Sequence, residues 1–146
     1  MKKTIALGCD HAAYHLKETI KKYVETIEYK VVDYGTNSNE NVDYPDIIHP
    51  LAKDVNDGKF EKAIIMCGSG IGVSIVANKY PNVRCALCMN VELVEMSRKH
   101  NNANILALGA RFISEDLAIH IVDKFLKTDF EGGRHQRRVD KISEIL

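Results

Sequence analysis

Short apolar runs alternate with helical periodicities along the whole chain, and the alternation predicts its elements in order. Ile5, Ala6 and Leu7 centre a first strand over residues 4–9. Leu16, Ile20, Tyr23, Val24 and Ile27 then recur at helical spacing and predict a helix over 12–28. Val31 and Val32 mark a second strand over 30–34, and the polar, turn-rich stretch 35–43 is a loop. Pro45 is placed to open a helix whose inner face is Ile48, Leu51, Ala52 and Val55, stopped by Asn56-Asp57-Gly58. A third strand over 63–66 runs through a glycine-rich turn into a helix with Val73, Val76, Ala77 and Tyr80 on one face, ending before Pro81. A fourth strand over 84–89, a helix over 91–100 and a fifth strand over 104–108 follow. Leu117, Ile121 and Phe125 mark the next helix. Beyond Gly132-Gly133 a terminal helix over 134–146 is expected to turn Val139, Ile142 and Leu146 inward.

The strands are apolar throughout rather than alternating, the mark of a parallel sheet covered on both faces. The expected fold is α/β: a three-layer α/β/α sandwich around a five-stranded parallel, Rossmann-like sheet with a C-terminal helix, as one domain over 1–146. Such sheets bind ligands outside the carboxyl ends of their strands. That rule gathers Asp10 and His11 after the first strand, Cys67 to Gly72 after the third, and Gly109, Ala110 and Arg111 after the fifth. An acid, an imidazole, a thiol and a guanidinium then share one rim. Taken singly, Asp10 also reads as a helix cap and His11 as a solvated loop residue.

Lys62 to Gly72 is the stretch on which the chemistry turns. A buried strand passing through three glycines into a helix aims a cluster of backbone N–H groups at one spot, which suits an anion or an oxyanion. Cys67 stands at its lip, where the positive helix end favours thiolate. The plainer alternative is a small buried hydrophobe. The turn is not a P-loop, because no Lys-Ser or Lys-Thr closes it, and its G-x-G-x-G spacing is a poor dinucleotide fingerprint.

Composition narrows the classes. The chain has 146 residues, 45% hydrophobic and 27% charged, in the range of a soluble globular domain. Twenty basic and twenty acidic residues cancel, which argues against nucleic acid or a membrane surface as partner. The apolar run behind Met1-Lys2-Lys3 is too short for an export signal, and no stretch could span a bilayer. Four cysteines without an export signal point to free thiols in a reducing cytoplasm. Cys85 and Cys88 match C-x-x-C, but three apart on a strand they face opposite sides and are expected in the core.

Two groups remain open on the residues alone. His100-Asn101 closes the fourth helix, either as its cap or, for His100, as a proton donor. That helix returns the chain to the start of the fifth strand, away from the rim of Cys67, so a catalytic His100 would most easily serve a second subunit. Arg134, Arg137 and Arg138 form either a solvated basic face or, through Arg134 and Arg138 one turn apart along the edge of the buried face, a phosphate site. His15, His49, His120 and His135 have no partner that the sequence names and read as structural.

Asp10-His11, Val42-Asp43-Tyr44-Pro45-Asp46, Cys67-Gly68-Ser69-Gly70-Ile71-Gly72, Ala77-Asn78-Lys79, Ser97-Arg98-Lys99-His100-Asn101, Ala103-Asn104 and Gly132-Gly133-Arg134-His135 together resemble ribose-5-phosphate isomerase type B. The wider family includes galactose-6-phosphate and allose-6-phosphate isomerases. The resemblance runs over nearly the whole chain. It implies aldose–ketose isomerisation of a sugar phosphate through an enediolate, with no metal and no organic cofactor. It implies Cys67 as the base between C1 and C2, and His100 in opening the sugar ring. The amides of Gly68, Ser69, Gly70, Ile71 and Gly72 would hold the enediolate oxygens. Asp10, His11 and Asn101 would touch the substrate, Tyr44 would line the pocket, and Arg111, Arg134 and Arg138 would bind, mainly at the phosphate. It also implies a homodimer with shared sites, or a dimer of dimers. Ser69 stands where many members carry threonine, and Ala12-Ala13 replaces a glycine-containing pair; neither removes a catalytic group. The expected reaction joins D-ribose 5-phosphate and D-ribulose 5-phosphate. The alternatives are a galactose or allose 6-phosphate isomerase, a non-catalytic phosphate-binding module and, more weakly, a thiol-redox protein.

Overall fold

The computed structural model describes residues 3–144. Five parallel strands, β1 (Lys3–Cys9), β2 (Tyr29–Asp33), β3 (Ala63–Cys67), β4 (Cys85–Leu87) and β5 (Ile105–Gly109), form one sheet in the order β2-β1-β3-β5-β4. Six helices alternate with and follow them: α1 (Tyr14–Thr26), α2 (Tyr44–Asn56), α3 (Ile71–Ala77), α4 (Val91–Lys99), α5 (Glu115–Lys127) and α6 (Arg134–Ile142). The three-layer sandwich expected from the apolar runs is therefore present.

Because strand side chains alternate, each strand feeds two cores. Ile5, Leu7, Ile64, Met66, Leu106 and Leu108 pack with Leu16, Ile20, Val94, Ile121 and Phe125 of α1, α4 and α5. Ala6, Ile65, Cys67, Ile105 and Ala107 pack with Ile48, Leu51, Val73 and Val76 of α2 and α3. The α2 side carries the smaller strand residues, so α2 lies close: a Cβ on Gly8 would stand 3.0 Å from Leu51 Cδ1. Cys67 points to this side, toward α2 and α3. Cys85 and Cys88 fall in opposite cores, as the strand period requires.

Several boundaries move for local reasons. His11–Ala13 is a 3₁₀ turn capped by Asp10, so α1 begins at Tyr14. Pro45 does sit in the first turn of α2, but Pro50 lies inside that helix, where its exposed position leaves the freed carbonyl to water. Tyr80 lies beyond the end of α3. β4 is a three-residue, half-buried edge strand rather than a six-residue one. In α6 the buried residues are His135 and Val139, whereas Ile142 is 56% exposed, so its expected inward turn is corrected; Leu146 lies outside the described residues. Arg134 and Arg138 each precede one of the two buried residues, and they are exposed together with Arg137.

A buried ion pair fixes the loop between β2 and α2. Lys17 of α1 is fully buried, and its Nζ donates to both Asp33 carboxylate oxygens at 2.8 and 2.9 Å and to the Thr36 carbonyl at 2.7 Å. The same loop exchanges backbone bonds with Cys9 at the end of β1. It leads directly to Val42 and Tyr44, both at the rim.

Candidate active site

The carboxyl ends of β1, β3 and β5 are adjacent, and an open cavity of about 650 Å³ lies over them. Asp10, Tyr44, Cys67, Gly68, Ser69 and Arg111 line it, with Ile71, Gly72, Ile75 and Phe112. The turn at its floor is held against β5: the Ala110 and Arg111 amides donate to the Cys67 and Gly68 carbonyls at 2.9 and 3.0 Å.

Glycine is required at two points of this floor. Gly70 has φ +78°, and a Cβ there would lie 2.5 Å from Leu87 Cδ1 and 2.9 Å from the Leu108 carbonyl carbon. At Gly109 a Cβ would lie 2.5 Å from the Ser69 carbonyl oxygen. Backbone cannot retreat as a side-chain tip can. Gly109→Ala is therefore expected to displace Ser69, cost about 1–3 kcal/mol of stability and lower turnover at least about tenfold through the misplaced turn. Urea titration beside steady-state kinetics would check both.

Cys67 is 6% exposed, and the Gly70 N–H donates to its Sγ at 3.1 Å. The Ile71 amide is taken by Ser69 Oγ at 3.2 Å. Among the described residues, the amides of Gly68, Ser69 and Gly72 have no acceptor. Of the five amides in the turn, two thus serve internally and three remain to meet an oxyanion. Gly70 caps α3 without any side-chain bond, which leaves that helix end open to the cavity. By contrast, Asn90 and Ser114 cap α4 and α5 with their own oxygens.

The flanking groups are held by backbone. Asp10 is 8% exposed; it accepts from the Ala13 amide at 3.2 Å and also lines the cavity, so it is both cap and wall. The Val42 amide donates to His11 Nδ1 at 3.2 Å, which places the proton of the neutral ring on Nε2. The ring of Tyr44 sits so close to Gly72 that a Cβ there would be 2.6 Å from Tyr44 Cζ. The exposed Arg111 guanidinium lies over Gly68, with Nη1 3.1 Å from the position of a Cβ.

The other expected residues are elsewhere. His100 caps the carboxyl end of α4, and Asn101 follows it, exposed, at the amino end of the sheet beside β5. α6 carries Arg134 and Arg138 at this same end: the Glu131 amide donates to the Lys99 carbonyl, and Ser143 Oγ donates to the Pro81 carbonyl at 2.5 Å. Within one chain, then, the sheet separates His100, Asn101, Arg134 and Arg138 from Cys67.

Three features here escaped the sequence. Arg98 is buried and bonds the carbonyls of Thr128 and Ala103 at 3.0 and 2.6 Å, tying the 128–133 segment to α4. His135 stacks on His100 with ring centroids 4.3 Å apart and planes at 15°. Glu131 Oε1 lies 3.8 Å from His100 Nε2 and 3.6 Å from His135 Nε2. The spacing of His135 four residues before buried Val139 is the signal that could have found it.

Known proteins share this arrangement of chain. The Ribose/Galactose Isomerase family model matches residues 5–142. Ribose-5-phosphate isomerase B of Escherichia coli is 41% identical over 143 residues, covering 98% of this chain and 96% of that protein. D-erythrulose-4-phosphate isomerase of Pectobacterium atrosepticum is 43% identical over 140 residues, covering 95% and 92%. The crystal structure of Mycoplasma genitalium ribose-5-phosphate isomerase B with bound ribulose-5-phosphate superposes with a TM-score of 0.93 at 41% identity, covering 98% and 95%. With its full-length match in sequence and in fold, the chain belongs to the Ribose/Galactose Isomerase family and is an isomerase.

Proposed function

We propose that this protein interconverts D-ribose 5-phosphate and D-ribulose 5-phosphate through an enediolate, with Cys67 as the base. The observation that carries this reading is the Cys67 thiol facing a cavity whose floor offers three unused amides. With the open-chain aldose over that floor, sulfur takes the proton from C2. The C2 electron pair forms the C1=C2 bond, and the carbonyl electrons settle on O1. Fixed amide donors at Gly68, Ser69 and Gly72 meet that charge as it develops; each such donor is worth about 10²–10³ in rate. Returning the proton to C1, with the O2 hydroxyl proton passing to O1, gives the ketose. Asp10, His11 and Tyr44 orient the hydroxyls, and Arg111 lies at the edge of the cavity for a charged group.

His100, Asn101, Arg134 and Arg138 complete the site from a second copy of the chain. Large apolar side chains left in water support this pairing. Ile71, Ile75 and Phe112, at the cavity mouth, are 53%, 57% and 65% exposed, and Leu93 and Met96 on α4 are 52% and 51% exposed. The expected assembly is a homodimer, or a dimer of dimers, with each site built from two chains. No described helix is long and apolar enough to cross a membrane, and the four cysteines are free, which supports a place in the cytoplasm.

The test compares purified protein on ribose 5-phosphate, D-erythrulose 4-phosphate, allose 6-phosphate and galactose 6-phosphate. The pentose is expected to be the best substrate. A better tetrose or hexose would keep the mechanism and change the sugar, because one added or missing carbon is worth only about 1–3 kcal/mol. Retained ligand binding without turnover of any sugar would favour a phosphate-binding module. Mixing inactive Cys67→Ala and His100→Asn proteins checks the shared site. Re-formed heterodimers should regain up to about half the activity per pair, because one of their two sites is intact. No regained activity in verified heterodimers would refute sharing.

A further inference from the structure

We propose that His100, Glu131 and His135 form a binding site for a divalent cation of the zinc class, and that its occupation inhibits turnover by withdrawing His100 from the sugar. The binding rests on this cluster alone; the inhibition also rests on the assignment of His100 to ring opening.

Two imidazoles and one carboxylate are a donor set that zinc commonly takes in proteins, with a further position left for water. Their ligand atoms all lie within 4.8 Å of one another. The Glu131–His100 and Glu131–His135 separations of 3.8 and 3.6 Å are close to the roughly 3.4 Å between ligands of a tetrahedral zinc ion bonded at about 2.0–2.1 Å. An imidazole nitrogen bonds a metal in the plane of its ring, so binding requires the two stacked rings to open and turn their Nε2 edges toward one ion.

The second observation is independent of the spacing. His135 is 7% exposed, yet its Nε2 has no hydrogen-bond partner, and it points toward Glu131. A buried polar atom without a partner is uncommon and calls for a ligand or an equivalent group. The Arg134 guanidinium is close enough to act on charge at the His135 ring. Arg134 and Arg138 also oppose a cation, and Glu131 is the charge that offsets them. Its side chain is half exposed, so an ion can reach the cluster from solvent.

Arg98 supplies the rigidity. Its bonds to Thr128 and Ala103 fix the segment that carries Glu131 against the end of α4 that carries His100. The three donors therefore do not depend on a loose tail to meet.

The experiment uses full-length, chelator-treated protein and Zn²⁺ itself. Cys67→Ala serves as the background for binding, because an accessible thiol would also take zinc. Equilibrium dialysis is expected to show one Zn²⁺ per chain in that background. Adding Glu131→Gln or His135→Asn should weaken binding at least about tenfold. Glu131 is exposed enough that its variant keeps the fold even if the His135 variant does not. Binding that neither substitution weakens, or no binding to the Cys67→Ala protein, overturns the site. In the protein with Cys67 intact, Zn²⁺ should inhibit ribose 5-phosphate turnover, and Glu131→Gln should raise the inhibiting concentration at least about tenfold. Equal inhibition of both proteins, at zinc concentrations that fill the cluster but leave the Cys67 thiol free to react with a thiol reagent, overturns the inhibitory role. If no sugar is turned over, dialysis still decides the site, and the failure belongs to the isomerase assignment.

Discussion

Cys67→Ala should lower kcat on ribose 5-phosphate by about 10³–10⁴ while leaving KM within about threefold, because a proton-transfer group acts in the transition state more than in the ground state. The fold should survive. Sulfur is buried at the end of β3, but it faces an open cavity, and the alanine leaves only a small space at the cavity floor. Cys67→Ser sharpens the result. It keeps an acceptor for the Gly70 amide, so it preserves the turn, but a serine hydroxyl is a far weaker acid and supplies little base near neutral pH. Both variants should be similarly inactive and both should titrate normally in urea. A serine variant near wild-type activity would mean that Cys67 holds the turn and another group moves the proton.

Lys17→Met should destabilise the protein by about 3 kcal/mol, equivalent to about 6–12 °C in Tm, although it lies outside the cavity. Removing one partner of a buried ion pair leaves the other uncompensated. The cost sits at the low end of the usual range because the Asp33 side chain is 17% exposed and Lys21 Nζ remains 3.5 Å away. Lys17→Met with Asp33→Asn should recover most of the loss, since asparagine is neutral and can still accept from the Gly35 amide. The pH dependence follows from Asp33. Burial acts to raise its pKa, but the Lys17 ammonium, the Gly35 amide and Lys21 outweigh burial and hold it below the ordinary aspartate value. The carboxylate therefore contributes its full stability above the unfolded pKa of about 3.9, and loses it as pH falls through the lower folded value. The gap between wild type and Lys17→Met should narrow in that acid range. Thermal denaturation from pH 7 down to pH 3 would check it. The same lysine holds Thr36 in the loop that leads to Val42 and Tyr44, so Lys17→Met should also raise KM.

What the sequence made legible follows from period and position. Continuous apolar runs such as Ala63-Ile64-Ile65-Met66 admit little but a buried parallel strand, and the carboxyl-end rule then places Asp10, Cys67 and Arg111 on one rim without any contact being known. The direction of α4 alone put His100 at the other end of the sheet. The rest depended on tertiary pairing. The sheet order sets β5 beside β3 and β4 at the edge, and Arg84 to Met89 looks as strand-like as Ile105 to Gly109 in isolation. Lys17 reads as a surface residue until Asp33 and the Thr36 carbonyl are brought to it. The inward face of α6 was misassigned because Val139 is compatible with two stripes, and the His135 stripe is chosen by packing against His100. Which amides of the glycine turn stay free was also hidden, since that depends on Cys67 Sγ and Ser69 Oγ each taking one.

The central claim is that a proton leaves carbon for the Cys67 sulfur and returns from it. Turnover of ribose 5-phosphate in deuterium oxide tests this most directly, read as deuterium at C1 of the ribulose 5-phosphate formed. A sulfur base that exchanges with solvent should place deuterium there, and the incorporation should vanish with turnover in Cys67→Ala. Turnover and deuterium incorporation at C1 that persist undiminished in Cys67→Ala would mean that another group moves the proton, and would contradict the role assigned to Cys67.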